Sequence, residues 1–204
     1  MLLSRELSDG IEAARERLGG NILGMARLRH WVDDWPVLNY ARFLIETDRI
    51  DKYLLLLFAH TQHHGNPSLM CYYEQIKLFG KVSAPDCVPS LLTTPIMLGW
   101  AFAYERVEDN RLCLLEAIPK EWFDSRFSAH GVGVSFGEIS VDYDGGTLDI
   151  KLSRPAPDGF SVRLRCASEL ESSMVSEGDA VLLGIEGDRL NIKGGVSRIR
   201  IKLR

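Results

Sequence analysis

The residues best suited to chemistry fall in two short stretches of the 204-residue chain. His60-Thr61-Gln62-His63-His64 is followed by Tyr72-Tyr73-Glu74-Gln75. Polar and aromatic side chains in such company suit a sugar site, where carboxylates move protons and aromatic faces stack on the ring. Glu74 stands out among the carboxylates. It follows two tyrosines in the mostly uncharged stretch 65–76, where partial burial would hold it in a defined rotamer. The same residue could instead end a helix and bond backbone amides. The second stretch is Trp31-Val32-Asp33-Asp34-Trp35, just before Pro36. Its adjacent acids suit an N-terminal helix cap with first-turn charge compensation. Alternatively, Asp33 or Asp34 accepts a substrate hydroxyl while Trp31 or Trp35 serves as a stacking platform.

The histidines also invite a metal reading. His60 lies three residues from His63 and four from His64, a spacing that can place two imidazoles on one helical face. No HExxH motif accompanies them, and a third ligand would have to come from Cys71, Glu74 or Asp86. Hydrogen-bonding histidines at the mouth of a pocket are the simpler expectation, with neither metal nor cofactor. GxGxxG, P-loop and GxSxG patterns are absent, so dinucleotide, nucleotide-triphosphate and serine-hydrolase chemistry gain no support. Cys71, Cys87, Cys113 and Cys166 are dispersed without a CxxC pair and read as reduced, packed thiols.

The elements that must position these residues change period partway along the chain. Leu3, Leu7, Ile11, Ala14 and Leu18 recur at helical spacing before Gly19-Gly20. Val37, Tyr40, Ala41, Leu44 and Ile45 continue a second helical face behind Pro36. Residues 53–59 are apolar on nearly every side, which predicts a third, deeply buried helix. A long connection, residues 60–95, carries four prolines and a short helix near 73–79, and residues 96–106 read as a last helix. Beyond them period-two segments near 112–115, 132–141, 147–152, 160–166, 181–185, 190–193 and 199–203 predict an antiparallel sandwich or barrel. The expected class is α+β: helical hairpins over 1–108, then an antiparallel β-domain over 109–204. The alternation of Arg198, Arg200, Lys202 and Arg204 reads as the solvated side of a strand.

Composition sets limits on partners. Hydrophobic residues make up 46% and charged residues 25%, enough for a folded core. A net charge of −4 provides no general field for nucleic acid. No apolar run approaches the roughly 18 residues of a membrane helix, and no signal-peptide region is legible, so a cytoplasmic location is expected.

Three places resemble the C-terminal end of bacterial six-hairpin glycosidases, which join an (α/α)6 toroid to a β-domain. Residues 51–60, Asp-Lys-Tyr-Leu-Leu-Leu-Leu-Phe-Ala-His, look like a late barrel hairpin. Tyr73-Glu74-Gln75 is similar to the Glu-Gln of glucoamylase-like inverting enzymes, whose glutamate is the general base. Leu114-Leu115-Glu116-Ala117-Ile118-Pro119-Lys120-Glu121-Trp122 looks like the Leu-Leu-Pro-Ala-Leu-Pro-x-x-Trp passage into the β-domain, with Glu116 in place of proline. The resemblance implies a partial toroid, a carbohydrate ligand and Glu74 as base. A closed ring of twelve helices needs on the order of 200 residues, so the catalytic acid of an earlier hairpin would be missing unless Asp34 supplies it. Trp31, Asp33, Trp35, His60, His63, His64, Tyr72 and Tyr73 are then the candidates for substrate contact.

Two readings follow. The first is a glycoside hydrolase-like module, inverting if catalytic and incomplete on its own. The second is a non-catalytic interaction module: a partial ring leaves an apolar helix flank uncovered, ready to pair with a second copy or a complementary helical chain.

Overall fold

Val37, Tyr40, Ala41, Leu44 and Ile45 form the buried face of helix α1 (Val37–Glu46), as their spacing predicts. The computed structural model describes residues 6, 9–10, 12–14, 17, 21–22, 25–28, 31–33, 37–66, 68–69, 71–77, 81–83, 86–106, 111–165, 176–177 and 182–203. The chain divides into two units, Met1–Leu98 and Gly99–Arg204. The class is α+β.

In the first unit α1 ends on Asp48, whose φ of 58° is left-handed. Asp48 N–H donates to Ile45 O at 3.1 Å and Arg49 N–H to Leu44 O at 2.8 Å, a Schellman-type stop. Helix α2 (Ile50–His63) follows at once and buries Ile50, Tyr53, Leu56, Ala59 and His60. Burial of the 53–59 run on nearly every side is not observed: Leu55 is 44% and Phe58 60% exposed. Uninterrupted apolar sequence does not distinguish a helix covered on both sides from one covered on a single face. Residues 6, 9–10, 12–14 and 17 are helical. From among them the buried Glu12 accepts hydrogen bonds from Tyr40 Oη and Lys52 Nζ, each at 2.7 Å, tying that segment to α1 and α2. Burial alone would raise the Glu12 pKa, but the bonds from Lys52 and Tyr40 and the charges of Lys52 and Arg49 outweigh it and hold the carboxyl below its ordinary value.

The expectation of helical hairpins throughout the first half is corrected by a sheet. Strands β1 (Asn21–Ile22), β2 (Met25–Leu28), β3 (Trp31–Asp33), β6 (Gln75–Lys77) and β7 (Lys81–Ser83) form a five-stranded antiparallel sheet in the order β1-β2-β3-β6-β7. A small hairpin joins β4 (Gly65–Asn66) to β5 (Cys71–Tyr72). Strands of two to four residues are too short to print a period of two on the sequence. The short helix expected near 73–79 is therefore replaced by β6.

Helix α3 (Val88–Phe102) starts earlier than expected and contains Pro95. An interior proline costs about 3 kcal/mol, and here the buried contacts of Thr93, Thr94 and Met97 override it. Residues 103–106 are extended instead of helical. No helix among the described residues is long and apolar enough to cross a membrane.

The second unit holds two five-stranded sheets. One comprises β10 (Phe127–Val134), β11 (Gly137–Asp144), β12 (Thr147–Leu152), β17 (Arg198–Lys202) and β14 (Ser176–Glu177), in that order and antiparallel throughout. Gly145 and Gly146, both at positive φ, close the β11–β12 hairpin as a two-residue turn. Ile139, Val141, Leu148, Ile150, Ile199 and Ile201 alternate into the core. The other sheet runs β15 (Leu182–Glu186), β16 (Arg189–Ile192), β13 (Phe160–Arg163), β9 (Arg111–Leu114), β8 (Ala103–Arg106). Its β13–β9 pair is parallel, a correction to the expected all-antiparallel half. The chain between these two strands passes through β10, β11 and β12, the long crossover that parallel neighbours require.

Between β9 and the 3-10 turn Lys120–Asp124 the buried Leu115 takes a left-handed φ of 59°. That costs roughly 1–2 kcal/mol. It is offset by backbone bonds from Leu115 N–H to Phe102 O at 2.8 Å and from Ala117 N–H to Ala101 O at 3.2 Å. The turn directs Glu116 inward, where Arg189 grips its carboxylate with both terminal nitrogens and Arg163 Nη1 approaches at 3.4 Å. Arg163 also donates through Nε to Asp188 at 2.7 Å. This buried ion cluster links the Leu115 turn to β13 and β16.

On the outer face Asp149 of β12 sits opposite Arg200 of β17. It accepts from Arg198 Nε at 3.0 Å and Nη2 at 2.8 Å, and from Arg200 Nη2 at 3.1 Å. The Arg198 bonds outweigh partial burial and, with Arg200 and Lys151, lower the Asp149 pKa from 3.8 to about 2. A carboxylate depressed on folding contributes stability that is complete above its unfolded pKa and vanishes as pH falls through the folded one. Chemical denaturation of the wild type and Asp149→Asn across pH should therefore show a difference on the order of 1 kcal/mol near neutrality, shrinking between pH 3.8 and about 2. Parallel pH profiles would contradict the assignment.

Candidate functional site

Helix α2 carries the histidine cluster on its last turns. His60 and His64 are both buried at 0% exposure, whereas Gln62 and His63 face solvent. The two buried imidazoles lie nearly parallel with centroids 5.1 Å apart, and Tyr72 stacks on His60 at 5.6 Å. His60 Nδ1 lies 3.0 Å from Thr94 Oγ1 of α3. Thr61 Oγ1 donates to Leu57 O at 2.9 Å and lies 3.3 Å from the same Thr94 hydroxyl. With the Thr61 proton committed, Thr94 donates to Thr61 and accepts from His60 Nδ1–H, the arrangement that gives every contact a proton.

His64 holds the neighbouring loop twice. Its Nδ1–H donates to Tyr73 O at 2.8 Å, and Tyr73 N–H donates to His64 O at 2.9 Å. The β4–β5 hairpin continues that pairing, with Gly65 opposite Tyr72 and Asn66 opposite Cys71. The approach is too close for a side chain at residue 65: a Cβ there would stand 2.6 Å from Thr61 O. Asn66 Nδ2 donates to Tyr73 Oη at 3.2 Å, and Cys87 N–H to Tyr72 O at 3.1 Å. Tyr72 and Tyr73 are thus pinned to the end of α2 and to the start of α3.

Glu74 occupies the bend that follows, half-buried between β5 and β6. From there β6 pairs with β3 in a register that sets Trp31 opposite Lys77, Val32 opposite Ile76, and Asp33 opposite Gln75. The two stretches chosen from sequence for their chemistry therefore meet: Asp33 lies across the ladder from the residue next to Glu74. Trp31 and Asp33 belong to a strand, not to a helix cap. Asp34 and Trp35 lie outside the described residues.

The structure does not gather the histidines into a metal site. Among the described residues no group of three or more His, Cys, Asp and Glu side chains is arranged to hold an ion. His60 and His64 each direct Nδ1 to a protein partner. Cys71, Cys87 and Cys113 are free thiols. Burial and the nearby Glu116 charge push the Cys113 thiol up to about 11, so it stays protonated and unreactive at neutral pH.

Thr94 and Glu12 are structural partners that sequence reasoning missed. A threonine in a leucine-rich helix reads as exposed, and nothing local connects it to a histidine far upstream in the chain. No family model matches the chain, and no curated protein matches it significantly.

Proposed function

We propose that the chain is a carbohydrate-active, glycoside hydrolase-like module of the six-hairpin type, incomplete on its own. The observation that carries this reading is the β3–β6 register, which pairs Asp33 with Gln75, the residue that follows Glu74. Further support comes from α2 and α3, which run antiparallel: Tyr53 Oη donates to Met97 O while His60 meets Thr94. Antiparallel neighbouring helices are what such a ring would use, although here strands β4 to β7 intervene between them.

In this reading Glu74 takes a proton from water as the water attacks the anomeric carbon, and Asp34 protonates the leaving oxygen. Inversion requires the two carboxyl groups to stand about 6.5–9.5 Å apart, leaving room for the water. Trp31 and Trp35 stack on the sugar, Asp33 and His63 bond its hydroxyls, and Tyr72 and Tyr73 shape the wall. His60 and His64 act from beneath as positioning residues, because they are buried and fix Tyr72 and Tyr73. With the chain that completes the ring present, Glu74→Gln should lower glycoside turnover roughly 100- to 10,000-fold, the usual worth of a general base, with the circular dichroism spectrum unchanged. Turnover should release the inverted anomer, seen by proton NMR. Undiminished turnover in the variant would remove Glu74 from the mechanism.

A second reading is favoured by α3. This helix buries Ser90, Thr93, Thr94 and Met97 and exposes Val88 (61%), Leu91 (42%), Leu92 (50%) and Leu98 (41%), with Pro95 on the same face. Such a face is inverted for a helix that meets water. It carries no charge that would select a charged partner, and a self-complementary apolar patch is what a two-fold dimer uses. The reading is an interaction module that pairs with a second copy of itself through α3. Light scattering should give a dimer for the wild type and a monomer for Leu91→Glu/Leu92→Glu. A wild-type monomer would contradict it.

A further inference from the structure

The hairpin of β8 and β9 places Arg106 directly opposite Arg111. Directly paired residues of an antiparallel ladder project to the same face, and like charges so placed repel. Both arginines line a cavity of about 190 Å³, together with Glu105, Ser135, Phe136 and Asp158. Glu105 directs both oxygens to Ser135, accepting from its N–H at 2.9 Å and from its hydroxyl at 2.6 Å. Asp158 is the other lining acid. Among the described residues the Arg111 side chain makes no ion pair or hydrogen bond, whereas Arg106 is already engaged elsewhere and buries its Nε.

We propose that this cavity binds a small ligand through an oxyanion, a carboxylate or a phosphate group, gripped by the paired guanidiniums of Arg106 and Arg111. The planar fork of arginine matches such groups with two parallel hydrogen bonds. An incoming anion places a counter-charge beside the two facing guanidiniums. Phe136 supplies an apolar wall for the body of the ligand. The size of the cavity restricts the ligand to about one sugar ring or a comparable acid. The site lies in the second unit and does not depend on Glu74.

Isothermal titration of the full chain with glucuronate, inorganic phosphate and glucose tests this. Saturable binding is expected for glucuronate or phosphate, and the tighter of the two identifies the oxyanion recognised. Arg111→Gln should weaken that binding roughly 10- to 100-fold, the loss of a charge-assisted hydrogen-bond pair. Glu74→Gln should leave it unchanged, which separates failure here from failure of the glycosidase reading. Absence of saturable anion binding, glucose binding as tightly as glucuronate, or undiminished binding in Arg111→Gln would each overturn the proposal. Should Arg111→Gln fail to fold, Arg111→Lys carries the test: weakened binding supports the guanidinium fork and unchanged binding overturns it.

Discussion

The two-way link between His64 and Tyr73 is the constraint on which the candidate site depends. One bond uses the imidazole and the other the helix-end carbonyl, so the loop is fixed in both position and direction. Each is worth about 1 kcal/mol net, too little alone to fix residues 71–74. They succeed because Tyr72 stacks on His60 and because Gly65 lets the hairpin close against Thr61. The position of Glu74 follows from that anchoring. Of the histidines expected at the mouth of a pocket, His60 and His64 instead hold Tyr72 and Tyr73 from within, and His63 alone faces solvent.

Helix α3 connects this anchoring to the question of partners. To reach His60 and Thr61 it must turn Thr94 inward, and Ser90, Thr93 and Met97 follow on the same side. Its leucines are left outside as a consequence. The buried polar contact of Thr94 with His60 and Thr61 and the apolar exterior of α3 therefore have one cause. The two proposed readings make different uses of the same exposed face.

Much of the architecture was legible because long elements carry strong periodicity. Helix α1 and strand β12 fall where their spacing puts them, and β11, β16 and β17 lie close to it. What escaped was short or long-range. β1, β2 and β3 are too brief to show alternation, Pro95 argued for a loop where packing sustains a helix, and the β9–β13 parallel pair depends on residues far apart in sequence. The candidate residues were legible in composition but not in assembly: Glu74, Tyr72 and Asp33 stand out by type, whereas only the ladder register reveals that Asp33 and Gln75 are neighbours. Glu116, visible as a departure from a proline-containing passage, anchors a buried ion cluster with Arg163 and Arg189.

The central claim, that the Glu74 bend and strand β3 together face a saccharide, is tested most directly by nitrogen-15 NMR of the intact chain titrated with mono- and disaccharides. The account predicts saturable shifts at the backbone amides of residues 31–33 and 72–75. Saturating shifts confined to other parts of the chain, or none with any saccharide, would contradict it.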